Sequence, residues 1–315
     1  MTLRISLFLL GVALFSLDTI AEQNASVHLC DELAAHPSDQ VKLVVGTSFE
    51  EIDAVLAIEA CEDALKFDAD VVRFQFQLGR AYYKSGQHSK GIFWYRKAAD
   101  QGHPIAQFNM ALTYFLGTGI EKNDKETVYW LQRAAEQGFS LAQQRLANAY
   151  YYGEGVKQSF VEAVIWNNKA AEQGNINAQF NIGYAYHQGE GVKQDYVEAA
   201  KWYKKAAEQG YADAQFNLAQ TYYYGEGVEQ DYTTAADWFR KAAEQGDANS
   251  MTKLGTMLLE AKGADKDVSE ATRWLNKAAV TGDIDAEIAL FQNLLNDRNI
   301  ETFEPSKATT FILSA

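Results

Sequence analysis

Tryptophan occurs at Trp94, Trp130, Trp166, Trp202, Trp238 and Trp274 and nowhere else, each 36 residues after the last. A fixed period of this size marks a tandem array. Each unit is a supersecondary piece that cannot bury its own apolar face, so neighbouring units have to stack. The same period holds for Gly102, Gly138, Gly174, Gly210, Gly246 and Gly282, and for alanine pairs from Ala98-Ala99 to Ala278-Ala279. Gly-Glu-Gly recurs at 153–155, 189–191 and 225–227. Gly117-Thr118-Gly119 replaces it once, and Ala261-Lys262-Gly263 is its degraded last copy. A chain ordered this way offers extended surface, with no obvious active-site pocket.

Within a unit the pattern is that of two antiparallel helices. In 175–210, Ala178, Ile182, Ala185 and Tyr186 recur at helical spacing and mark helix A. Gly189-Glu190-Gly191 ends it, because glycine tolerates the left-handed conformation that follows a helix. Asp195 is the expected N-cap of helix B, with Glu198 as its capping-box partner. Asn123/Glu126, Ser159/Glu162 and Asp267/Glu270 repeat the pairing, while Asp231 faces Thr234. Helix B runs through Ala199, Trp202, Tyr203 and Ala206 and stops near Gly210. Five such units cover 103–282, and 283–297 is a lone capping helix. Residues 69–102 form a shorter unit in which Leu78, Gly79, Tyr82, Gly91, Tyr95 and Ala98 keep tetratricopeptide-repeat spacing. A step of 34 residues back from Gly91, Tyr95 and Ala98 reaches Ala57, Cys61 and Ala64. This predicts a degenerate helix over 49–66, with Ser48 and Glu51 as its capping box.

Residues 175–210 carry a recognisable series: Ala178-Gln179, Ile182, Tyr186, Gly189, Gly191-Val192, Ala199, Trp202, Lys205-Ala206-Ala207 and Gln209-Gly210. This pattern resembles the Sel-one-like repeat (SLR) family, a longer-looped cousin of the tetratricopeptide repeat. The resemblance is strong over 103–297 and looser over 49–102. It implies an all-α fold, a right-handed alpha-alpha superhelix (solenoid) of Sel-one-like/tetratricopeptide-like helix pairs. It also implies an adaptor, as in signalling, envelope assembly, protein quality control or host–microbe contact.

Charge and punctuation agree with a helical array. Only Pro37, Pro104 and Pro305 interrupt the chain. The net charge of −14 opposes general nucleic-acid binding, which neutralises phosphates with Lys and Arg. Residues 1–21 read as a secretory signal peptide: Arg4, the apolar run Ile5 to Leu17, and small residues at Thr19 and Ala21 for cleavage. The run is too short for a spanning helix of ~20 residues; an uncleaved anchor is the alternative. No other long apolar stretch follows, so the mature protein is expected to lack an integral membrane span. Export to the periplasm, or to the medium, places Cys30 and Cys61 of the 22–68 cap region in an oxidising compartment. There an even pair reads as one disulfide. Closing that loop stabilises by roughly 3–4 kcal/mol in the chain-entropy model. Two buried free thiols are the alternative.

Catalytic motifs are missing. The sequence holds no Gly-x-Ser-x-Gly, His-Glu-x-x-His or phosphate loop. Some cysteine-rich relatives in the resembled family are linked to β-lactam chemistry, but this chain has neither Ser-x-x-Lys nor Lys-Thr-Gly. The histidines His28, His36, His88, His103 and His187 show no ligand spacing, so no metal and no cofactor is expected. A binding face is easier to place. Aligning Gly183 with Gly79 puts Phe108, Phe115, Gln144, Asn148, Tyr151, Phe180, Tyr184, His187, Phe216, Gln220 and Tyr223 on the concave side of helix A. Rings mixed with amides suit peptide recognition, giving large contact area at low entropic cost plus hydrogen bonds. Packing between adjacent helices is the competing role for these rings, and it is the expected role of Tyr114, Tyr150, Tyr186, Tyr222 and the tryptophans. The expected function is an exported, non-enzymatic interaction scaffold or regulatory adaptor for a protein or peptide partner of the bacterial envelope. A secreted host-interaction factor is the first alternative and a cell-wall or β-lactam hydrolase the second. Residues 298–315 leave the grid and read as a disordered tail or a docking strand.

Overall fold

The computed structural model describes residues 29–37 and 47–297. The expected leader at 1–21 and the tail at 298–315 lie outside the described residues. A short helix α1 spans 29–34, and α2 is Ala54–Phe67. Then come α3 (Val72–Lys84), α4 (His88–Asp100), α5 (Pro104–Leu116), α6 (Asp124–Glu136) and α7 (Ser140–Tyr152). They are followed by α8 (Phe160–Glu172), α9 (Ile176–Gln188), α10 (Tyr196–Glu208), α11 (Ala212–Tyr224) and α12 (Tyr232–Glu244). The series ends with α13 (Ala248–Glu260), α14 (Val268–Val280) and α15 (Ile284–Asp297). No strand occurs among the described residues. This is the all-α tandem helix-pair fold that the periodicity demands. The helices fall into two compact units, divided between Ser159 and Phe160.

Two loop chemistries repeat. Helix B ends on a Schellman motif whose acceptors are the alanine pair. In one copy the Gly174 N–H donates to the Ala171 carbonyl at 3.0 Å and the Asn175 N–H to that of Ala170 at 3.1 Å. Helix A ends on a left-handed residue, Gly189 at φ 76° for example. In the last copy Ala261 takes this place at φ 54°, the strained position of that degraded loop. The second glycine of the loop answers a different demand. A Cβ on Gly191 would lie 2.3 Å from the Phe160 carbonyl oxygen at the start of α8, so the loop packs directly on the backbone of the preceding helix B.

The caps of helix B correct one expectation. Asp195 does accept from the Val197 and Glu198 N–H groups. Its own N–H, however, donates to the Tyr186 carbonyl of α9 at 2.9 Å, and Glu198 pairs with Lys201. Asn123, Ser159 and Asp231 likewise donate to Tyr114, Tyr150 and Tyr222. The capping box is therefore half-formed, because the tight loop gives that N–H a closer carbonyl. At the N-terminal end the helix expected over 49–66 begins at Ala54, with Asp53 as its N-cap. Ser48 and Glu51 instead bond each other in the preceding turn.

Cys30 and Cys61 form a disulfide joining α1 to α2, with Cα atoms 4.7 Å apart. Around it pack Ala34, Ile52, Ala57, Phe74, Leu78 and Tyr82. Burial and a hydrogen bond to Glu62 push the Tyr82 phenol up to about 12. Within the second unit, Tyr186 and Tyr222 each pack against two successive core clusters, the interhelical role expected of them.

Candidate functional site

Every helix A begins at the same step of its repeat, so residues are comparable by their place in the helix. The fifth, ninth and twelfth residues make the predicted row. In the first unit these are Phe108 and Phe115 on α5, and Gln144, Asn148 and Tyr151 on α7. In the second they are Phe180, Tyr184 and His187 on α9, and Phe216, Gln220 and Tyr223 on α11.

The fifth position turns toward its neighbours. Phe108 meets the Phe139 ring edge-on at 5.2 Å, Phe180 meets Tyr211 at 5.2 Å, and Phe216 meets Phe239 at 5.8 Å. Gln144 is buried. Phe139 and Tyr211 are themselves N-caps that make no side-chain cap bond; ring contact replaces it. The ninth and twelfth positions present more surface. Asn148, Tyr184 and Gln220 are half-buried, as are Tyr151, His187 and Tyr223, and Phe115 is exposed. The His187 Nε2 lies 3.2 Å from Glu226 Oε2, with the ring edge-on to Tyr196. Lys262 Nζ donates to the Tyr223 hydroxyl at 3.4 Å. Glu260 and that phenol hold the Lys262 ammonium above its usual range.

Two structural devices escaped the sequence reading. The fourth residue of helix A is a buried glutamine that links three helices. Gln179 donates to the Ala171 carbonyl at 3.2 Å and accepts from Gln209 Nε2 at 2.7 Å; Gln107 and Gln215 repeat both bonds. Their signal was the glutamine on the grid beside each Ala and each Gly. The second device is a cation three residues after each tryptophan. Lys169, Lys205 and Lys241 sit 3.8, 3.6 and 3.7 Å from the ring centroids of Trp166, Trp202 and Trp238. Each ammonium lies over a ring face and gives the tryptophan a cation–π partner.

In the first unit, α5, α6 and α7 enclose a pocket of about 210 Å³. Leu112, Phe115, Leu131, Ala149 and Tyr152 supply its apolar lining; Arg145, Asn148, Asp124, Thr127 and Glu154 supply polar groups. Two members of the predicted row, Phe115 and Asn148, thus meet in one cavity. Among the described residues no cluster of His, Cys, Asp and Glu could hold a metal ion, and no helix is long and apolar enough to cross a membrane.

The Sel1 repeat family matches residues 72–103, 104–139, 140–175, 176–211, 212–247 and 248–279. The chain belongs to the Sel1 repeat family. Among solved structures, this Sel1 repeat protein is similar to a protective antigen of uropathogenic Escherichia coli strains that displays an SLR fold. The two are 35% identical over 76% of this chain and 52% of that one, with a TM-score of 0.72; the chain thus spans about half the length of that relative. A Sel1 repeat protein from Oxalobacter formigenes is 33% identical over 67% of this chain and 87% of its own, with a TM-score of 0.64. No protein of curated function matches. Sel1 repeat proteins act as protein-interaction scaffolds, and their fold is typically non-catalytic.

Proposed function

We propose that this Sel1 repeat protein is an exported scaffold or regulatory adaptor that docks a peptide or helix of a bacterial envelope protein on its helix A row. The observation that carries the reading is the recurrence of half-exposed rings and amides at the ninth and twelfth positions: Asn148, Tyr184 and Gln220, with Phe115, Tyr151, His187 and Tyr223. Such side chains give large contact area and hydrogen bonds at low entropic cost. The leader-like residues 1–21 and the Cys30–Cys61 disulfide support export to an oxidising compartment, the periplasm before the medium.

The test is a crosslinked capture from envelope and medium fractions, comparing wild type with a Phe180→Ala/Tyr184→Ala/Tyr223→Ala variant whose helicity and melting are checked first. A partner held by wild type and lost by the variant is the expected outcome. A partner held equally by both removes the row from the reading. A second reading, a secreted factor acting at a host surface, is favoured by the likeness to the uropathogen's protective antigen. Recovery of the protein and its partner from host fractions alone would select it.

A further inference from the structure

The N-terminal end of the array shows what its helix A positions do when something lies on them. Phe76 and Arg80, the fifth and ninth residues of α3, are 0% and 2% exposed. The chain's own segment covers Arg80, while Phe76 also stacks on the His103 ring at 4.4 Å. Arg80 donates to the Ala34 carbonyl at 2.6 Å and the Thr47 carbonyl at 2.9 Å, and the His36 ring lies 6.3 Å from that of Phe76. Beside them a carboxylate is captured. Asp31, fully buried, accepts from Gln77 Nε2 at 2.9 Å and pairs with Arg73 Nε at 3.3 Å. Gln77 is the sixth residue of its helix.

Arg145 is the sixth residue of α7. It lines the pocket formed by α5, α6 and α7, where α5 offers Leu112 and Phe115 and the carboxylates are Asp124 of α6 and Glu154. Arg145 is exposed and makes no hydrogen bond or ion pair among the described residues. We infer that this pocket binds a partner peptide through one Asp or Glu side chain set on the Arg145 guanidinium, with an adjacent apolar residue of the peptide against Leu112, Phe115 and Leu131. A guanidinium presents a planar fork matched to a carboxylate. Two lining carboxylates bound the sequence of the occupant. Asp124 is paired with Lys122 at 3.4 Å, and Glu154 also lines the pocket. They disfavour an acidic run, as does the net charge of −14; the occupant carries a single carboxylate among apolar and small residues.

This inference rests on the docking reading above and is tested apart from it. Labelled full-length protein, disulfide intact, is applied to an array of nine-residue peptides. Each peptide has a fixed central Asp, Asn or Lys in a randomised apolar and small-residue background. Wild type is expected to retain Asp members at least ~10-fold more strongly than Asn members. Arg145→Gln loses that preference with unchanged melting, and Arg145→Lys keeps part of it. Equal retention of Asp and Asn, no retention at all, or an Asp preference that survives in Arg145→Gln overturns the inference. The Phe180→Ala/Tyr184→Ala/Tyr223→Ala variant alters only the second unit and is run alongside. An intact Asp preference with no captured envelope partner sinks the functional reading alone. A captured partner with no Asp preference sinks this inference alone.

Discussion

Helices α3 and α7 occupy the same step of the repeat, yet one is roofed and the other open. On α3, Arg80 disappears beneath residues 34–37 and 47 and spends its guanidinium on two backbone carbonyls. On α7, Asn148 at the equivalent place is half-buried in a pocket wall and Arg145 reaches solvent. The repeat geometry by itself does not decide whether a helix A face is core or binding surface. What lies across it does. An array end has a face with no neighbouring unit, and here a disulfide-held segment covers it.

The largest expected effect breaks this comparison if it fails. Arg80→Ala leaves the buried Ala34 carbonyl and the part-buried Thr47 carbonyl without this donor and should cost about 3 kcal/mol. Leu112→Ala, at the same helix position in the open repeat, should cost at least about 1 kcal/mol less. Denaturant melts of the two variants give the ranking. Hydrogen exchange of α1–α3 should show the Arg80→Ala loss confined to that end, as nearest-neighbour coupling requires. Equal costs would mean that the roof contributes nothing to α3.

An intermediate effect sharpens the contrast at the level of backbone, within the open repeats. Gly174 has φ +86° and open space within 4 Å of where a Cβ would stand, whereas Gly191 has φ +71° and the Phe160 carbonyl 2.3 Å from that point. Gly174→Val meets only the left-handed penalty, ~1–2 kcal/mol. Gly191→Ala adds a collision with main chain and should cost ~2–3 kcal/mol. Thermal melts read both; the reverse order would rule out the direct loop-to-helix contact.

The smallest effect separates two aspartates. Asp31 is buried under the roof, but Asp231 is an exposed cap whose carboxyl is held below its ordinary value of 3.8 by hydrogen bonds from Thr234, side chain first. A lowered folded value means the contribution of Asp231 is present above the ordinary carboxylate range and is lost as pH falls through that folded value. In Thr234→Val the Asp231 titration, followed by NMR, should move upward and the acid limb of stability should shift with it. An unmoved titration would assign the lowering to the helix N-terminus alone.

Much of this was legible because its cause is local. The alanine pairs, the Gln-Gly ends and the Asp or Asn starts each act within a few residues of chain, so a period in sequence becomes a period in hydrogen bonds. The half-formed capping boxes were less legible. Asp195 selects the Tyr186 carbonyl over the Glu198 side chain, and only loop geometry decides between those acceptors. The row was readable as a helix face but not as a surface. Phe108 and Phe180 spend their rings on the N-cap residues Phe139 and Tyr211 of the next helix A, partners 31 residues distant in each case. Arg145 gave no signal, because a single exposed arginine has no pattern to mark it.

The 36-residue grid alone determined helix pairs, their order, their punctuation and membership of a family of interaction scaffolds, because periodic burial and capping are written in neighbouring residues. Tertiary structure alone decided which equivalent positions stay open. Whether Arg80 is buried and Arg145 is free depends on segments packed across the helix, and contacts of that kind leave no period in the chain.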